Sequence, residues 1–101
     1  MRIPNLFIVG APKCGTSSMH ALLDRHPHVF MSNPKELHYF TPEFPSRQIA
    51  ATEDDYLELF RTAGDDVRIV GEASTGYLAS ESALHRIRAF NAEAKIIAMV
   101  R

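Results

Sequence analysis

The stretch that decides the fold is Gly10-Ala11-Pro12-Lys13-Cys14-Gly15-Thr16-Ser17-Ser18. Ahead of it, Asn5 to Val9 is a short apolar run containing Phe, Ile and Val, which predicts a buried strand rather than a helix. Behind it, Met19, Leu22 and Leu23 recur at helical spacing, with Thr16, Ser17 and Ser18 suited to a helix start. Pro27 ends that helix, because it pushes His26 out of the helical region. A loop between a strand and a helix gathers backbone N–H groups on an anion, assisted by the helix dipole. Gly15 lets the backbone approach closely, the hydroxyls of Thr16, Ser17 and Ser18 add donors, and Lys13 adds a point charge.

Outward from this loop the pattern repeats. Val29 to Met31 predicts a second strand, and the stretch from Lys35 to Pro45, with its charges, aromatics and prolines, fits no regular element. Thr52 reads as the N-cap of a helix with Glu53, Asp54 and Asp55 in its first turn. Tyr56, Leu57 and Phe60 give that helix an apolar stripe, and Gly64 is the expected stop. Val67 to Val70 predicts a third strand closed by Gly71. Ser80 or Ser82 caps a further helix carrying Leu84, Ile87, Arg88 and Phe90, and Lys95 to Val100 predicts a fourth strand buried on both faces. Strands alternating with helices predict an α/β domain with a mostly parallel sheet. The chain stops directly after a strand, where such a sheet continues with a helix, so it is expected to be truncated there.

With 101 residues, 46% of them hydrophobic, the chain has the material for one packed domain and not two. A formal net charge of −1 gives no general reason to expect a nucleic-acid polymer or an anionic membrane as partner, so anion binding must come from local geometry. Cys14 is the single cysteine, which excludes an internal disulfide and fits a reducing, cytoplasmic setting. The apolar run before Gly10 is too short for a signal-peptide core or a membrane span. His20, His26, His28 and His85 show no metal-ligand spacing, and no metal site is expected.

The loop departs from the usual nucleotide pattern G-x-x-x-x-G-K-[ST]. Gly10 and Gly15 keep the spacing, but Thr16 stands where the lysine belongs and Lys13 precedes the second glycine. In this form it resembles the 5′-phosphosulfate loop of sulfotransferases that use 3′-phosphoadenosine 5′-phosphosulfate (PAPS). Three further segments resemble the same family in the same order: LLDRHP from Leu22, PKELHYF from Pro34, and GEASTGYL from Gly71 followed later by AKIIAMVR. The resemblance runs from Asn5 to Arg101. It implies that residues 1–101 form the N-terminal part of a single sulfotransferase domain of the glycan or bacterial type, with a P-loop-like three-layer fold.

The resemblance also implies roles. Lys13 would stabilise the sulfonyl group and the leaving phosphate, with Cys14, Gly15, Thr16, Ser17 and Ser18 forming the rest of the donor loop. Glu36 matches the catalytic glutamate of the glycan-type enzymes, and His38 is the alternative base. Arg101 matches the arginine that clamps the nucleotide 3′-phosphate, which a forked guanidinium suits. Glu72 and Ser74 would face the acceptor, a carbohydrate or a small molecule bearing a hydroxyl or amine. Two other readings stay open. One is a kinase-like Mg-nucleotide enzyme in which Glu72 helps to hold magnesium. The other is an inactive anion-binding fragment.

Overall fold

A computed structural model describes residues 3–11, 13–33 and 36–99. Its elements are β1 (Leu6–Gly10), α1 (Thr16–Asp24), β2 (Val29–Met31), α2 (Glu53–Glu58), β3 (Ile69–Ala73), α3 (Ala83–Phe90) and β4 (Lys95–Ala98). Two 3-10 turns, Pro45–Arg47 and Tyr77–Ala79, lie in the connections. The four strands form one sheet in the order β2-β3-β1-β4, every pair parallel.

Alternation along the strands assigns the two faces. Phe7, Val9 and Val70 point to one face, where they pack with Tyr56 and Phe60 of the α2 region, Tyr77 of the second 3-10 turn and Ile87 of α3. Leu6, Ile8, Met31 and Ala73 point to the other and meet Met19 and Leu23 of α1. The result is the expected three-layer α/β arrangement. Every residue of β1 is buried, and a fully buried side chain the size of Phe7 or Ile8 contributes roughly 1.5–3 kcal/mol. This places the loop after Gly10 on a buried central strand, flanked by β3 and β4.

Several boundaries differ from the sequence expectations. Gly71 does not close the third strand. It lies inside β3, because Met31 crosses it so closely that a Cβ there would sit 2.7 Å from the Met31 sulfur. Thr52 does cap α2, its hydroxyl accepting from the Asp55 amide at 3.2 Å. The helix ends at Glu58 rather than Gly64, tightening into hydrogen bonds from the amides of Leu59, Phe60 and Arg61 to the carbonyls three residues back. At α3 it is Ser80, not the N-cap residue Ser82, whose hydroxyl accepts from the amides of Ser82 and Ala83. β4 is not buried on both faces: it is an edge of the described sheet, with Ile96 43% exposed.

The stretch without a regular assignment is firmly held. The Glu36 amide donates to the Ala73 carbonyl at 2.6 Å, the Ile49 amide donates to the Leu37 carbonyl, and Leu37 and Phe40 are buried in the core. Residues 36–41 therefore ride along the C-terminal end of β3, next to the loop that leaves β1.

Candidate active site

The phosphate loop meets α1 at Gly15, whose φ of 88° is a left-handed conformation that suits glycine. No side chain caps this helix, and no acidic residue occupies its first turn. The first-turn amides of Thr16, Ser17 and Ser18 thus face outward with the positive end of the dipole, the arrangement an anion requires. Thr16 is buried, Ser17 and Ser18 are exposed, Cys14 is half-buried and Lys13 is exposed. Gly10, at the start of the loop, is closely covered: a Cβ there would lie 2.9 Å from the Leu78 Cβ.

The two candidate bases are brought together. Glu36 Oε2 lies 3.0 Å from His38 Nε2. The same carboxylate accepts from the Thr75 amide at 3.0 Å and from the Thr75 hydroxyl at 3.1 Å. A carboxylate only accepts, so the facing imidazole nitrogen carries the hydrogen when Glu36 is ionised. The Glu36 side chain keeps 29% of its surface open while that of His38 keeps 11%. Glu36 is therefore the more accessible member of the pair.

Among the described residues, three non-glycine residues have positive φ: Lys13 at 62°, Glu36 at 65° and His38 at 54°. These are the same three that the sequence singles out for chemistry. A non-glycine residue in this region costs roughly 1–3 kcal/mol and persists only where its surroundings impose it. A pocket of about 300 Å³ lies alongside, lined by Ala11 of the loop, Thr75, Phe44, Arg47 and Leu78. The phosphate loop and the residue that grips Glu36 thus share one cavity, at the C-terminal end of β1 and β3 where α/β sheets hold ligands.

Glu72 and Ser74 do not face this cavity. Both are fully buried, so the expectation that they contact an acceptor is corrected. The Glu72 carboxylate accepts hydrogen bonds from the hydroxyls of Tyr56, Tyr77 and Ser74. Burial pushes its pKa up to about 7 despite those three donors, with the charge of Glu36 adding to the rise. A carboxylate sealed in this way cannot hold a solvated magnesium ion as the kinase-like reading requires. Among the described residues no three His, Cys, Asp or Glu side chains are grouped to hold a metal.

Sequence reasoning missed Thr75 as the partner of Glu36, and the tyrosines as partners of Glu72. The only available signal was a cluster of polar residues, Glu72, Ser74 and Thr75, where a buried strand ends. Arg101 lies outside the described residues.

Comparison with known proteins gives concordant results. A family model described as the sulfotransferase family matches residues 4–98. The chain superposes on the crystal structure of a sulfotransferase from Alicyclobacillus acidocaldarius with a TM-score of 0.88 and 38% identity, covering 97% of this chain and 44% of that one. It is 27% identical to carbohydrate sulfotransferase 15 of Mus musculus over 98% of this chain and 25% of that protein. It is 25% identical to the membrane-associated sulfotransferase kil1 of Dictyostelium discoideum, over 98% of this chain and 20% of that protein. The chain spans about a quarter of the length of the curated relatives it matches. No helix among the described residues is long and apolar enough to cross a membrane.

Proposed function

The chain belongs to the sulfotransferase family, and from that premise we propose that it carries the donor loop and the base of an enzyme moving a sulfonyl group from PAPS to a hydroxyl, with carbohydrate as the acceptor class. The observation that carries this reading is the trio of left-handed residues, Lys13, Glu36 and His38, gathered at one end of the sheet. Backbone strain held at three residues of matching chemistry is what a preorganised site looks like.

In the proposed reaction the acceptor hydroxyl enters beside Thr75, and Glu36 takes its proton as the oxygen attacks sulfur. The new O–S bond forms while the bond from sulfur to the phosphate oxygen breaks. Adenosine 3′,5′-bisphosphate leaves. Charge gathers on the leaving phosphate, where Lys13 and the first-turn amides of α1 offset it. His38 donates to Glu36 and steadies it. The carbohydrate assignment rests on the match of Glu36 to the glycan-type glutamate and on the relatives' names.

Calorimetric titration of the full-length protein tests the donor half of this proposal. Adenosine 3′,5′-bisphosphate is expected to bind in preference to Mg-ATP. Lys13→Ala should weaken it roughly 10- to 100-fold, as loss of a charge-assisted contact does. Preference for Mg-ATP would overturn the reading.

A further inference from the structure

Glu72 lies outside the chemistry just described, yet its contacts lead to it. Two of its three hydroxyl donors are also acceptors. The His38 amide donates to Ser74 Oγ at 3.0 Å, and Ser74 Oγ donates to Glu72 Oε1 at 2.6 Å. The Phe40 amide donates to the Tyr77 hydroxyl at 3.4 Å, which donates to Glu72 Oε2 at 3.1 Å. Each hydroxyl has one hydrogen, an amide only donates and an ionised carboxylate only accepts, so above about pH 7, where Glu72 is ionised, both relays run in one direction. Their outer ends are the main chain of the segment that carries Glu36. Tyr56, from α2, donates to the same carboxylate oxygen as Tyr77 and helps to fix it.

Resting on the sulfotransferase reading, we propose that Glu72 is a positioning residue for the base. Its buried carboxylate orients Ser74 and Tyr77 to receive the amides of His38 and Phe40, and this holds the left-handed turn that places Glu36 beside Thr75. Neither relay touches the phosphate loop, so donor binding is independent of it. The ring of His38 packs edge-on against that of Tyr77 with centroids 6.2 Å apart, which couples the imidazole to the same anchor. A glutamine at 72 keeps the shape but presents an N–H₂ group to one of the hydroxyls. The hydrogen of that hydroxyl must turn away from residue 72, and one relay loses its orientation.

The test is a double-mutant cycle in the full-length protein, with Glu72→Gln, Glu36→Gln and the pair. Three quantities are read: affinity for adenosine 3′,5′-bisphosphate, the single-turnover transfer rate, and hydrogen exchange at the His38 and Phe40 amides. Glu72→Gln should bind the bisphosphate as the parent does and transfer about 10- to 100-fold more slowly, the effect of a displaced reacting group. In the Glu36→Gln background it should slow transfer no further, because both changes act through one carboxylate. Exchange at His38 and Phe40 should accelerate while the β1 amides stay protected. An unchanged rate, a fully additive cycle or unchanged exchange would each overturn the proposal. If Glu72→Gln does not fold, Ser74→Ala removes one relay and is read in the same way. A parent protein that neither binds the bisphosphate nor transfers would sink the sulfotransferase reading instead, and the exchange data would still decide whether Glu72 anchors the turn.

Discussion

Glu36 and Glu72 are the same side chain in opposite settings a few residues' width apart. Glu36 sits on an irregular segment, in a left-handed conformation, gripped by Thr75 and His38 and partly open to solvent. Glu72 sits in a regular strand, closed to solvent and surrounded by hydroxyl donors. The first has the access that proton transfer requires and the second has none. The difference teaches that carboxylate chemistry here is assigned by surroundings. A buried acid with a raised pKa is the usual flag for a catalytic group, yet in this molecule the flag falls on the residue that no substrate touches.

The comparison can be broken most directly at Glu36. Glu36→Gln should lower the transfer rate roughly 10²- to 10⁴-fold, the span ascribed to a general base, and leave bisphosphate affinity intact. A rate within a few fold of the parent would assign the base elsewhere.

The next effect belongs to Glu72 and appears in stability. Its pKa is raised from 4.5 to about 7 in the folded chain, chiefly by burial. The folded state therefore holds this proton more tightly than the unfolded state. The corresponding stability is fully present below about pH 4.5 and is lost as pH rises through about 7, amounting to about 3 kcal/mol. Tyr56 and Tyr77, the other titratable groups on this carboxylate, have pKa values raised above the ordinary tyrosine value and stay neutral across that window; Glu36 is the charged neighbour. Denaturant midpoints measured between pH 5 and pH 8 should fall in the parent and stay flatter in Glu72→Gln.

The smallest effect sharpens the grip on Glu36. Thr75→Val keeps the amide donor and removes the hydroxyl, so transfer should slow about tenfold, the lower end of what one hydrogen bond to a charged group is worth. Single-turnover rates would show it, and the pH dependence of stability should not change.

What was legible in the sequence was what is local. β1, the loop and α1 follow from an apolar run, two glycines and a helical stripe, and the Thr52 cap follows from one side chain and the amide three residues on. Gly71 was misread because its role depends on Met31 in a neighbouring strand, which no window of sequence contains. The same holds for Glu72, whose partners come from α2 and the turn after β3, whereas Ser80 was one of the two caps expected for α3. For Glu36 and His38 the resemblance of PKELHYF to the sulfotransferase segment pointed to chemistry. Their left-handed backbone had little local signal: glutamate does not favour it and histidine only modestly does, so the contacts with β3 and the turn after it impose it.

The three left-handed residues carry a practical consequence for engineering. At positions 13, 36 and 38, glycine or asparagine would relieve the backbone, so a library selected for melting temperature would drift toward them. Each such gain would delete an ammonium, a carboxylate or an imidazole from the reaction. The most heat-resistant descendants of this chain would then be its least competent, and thermal selection needs an activity screen beside it from the first round.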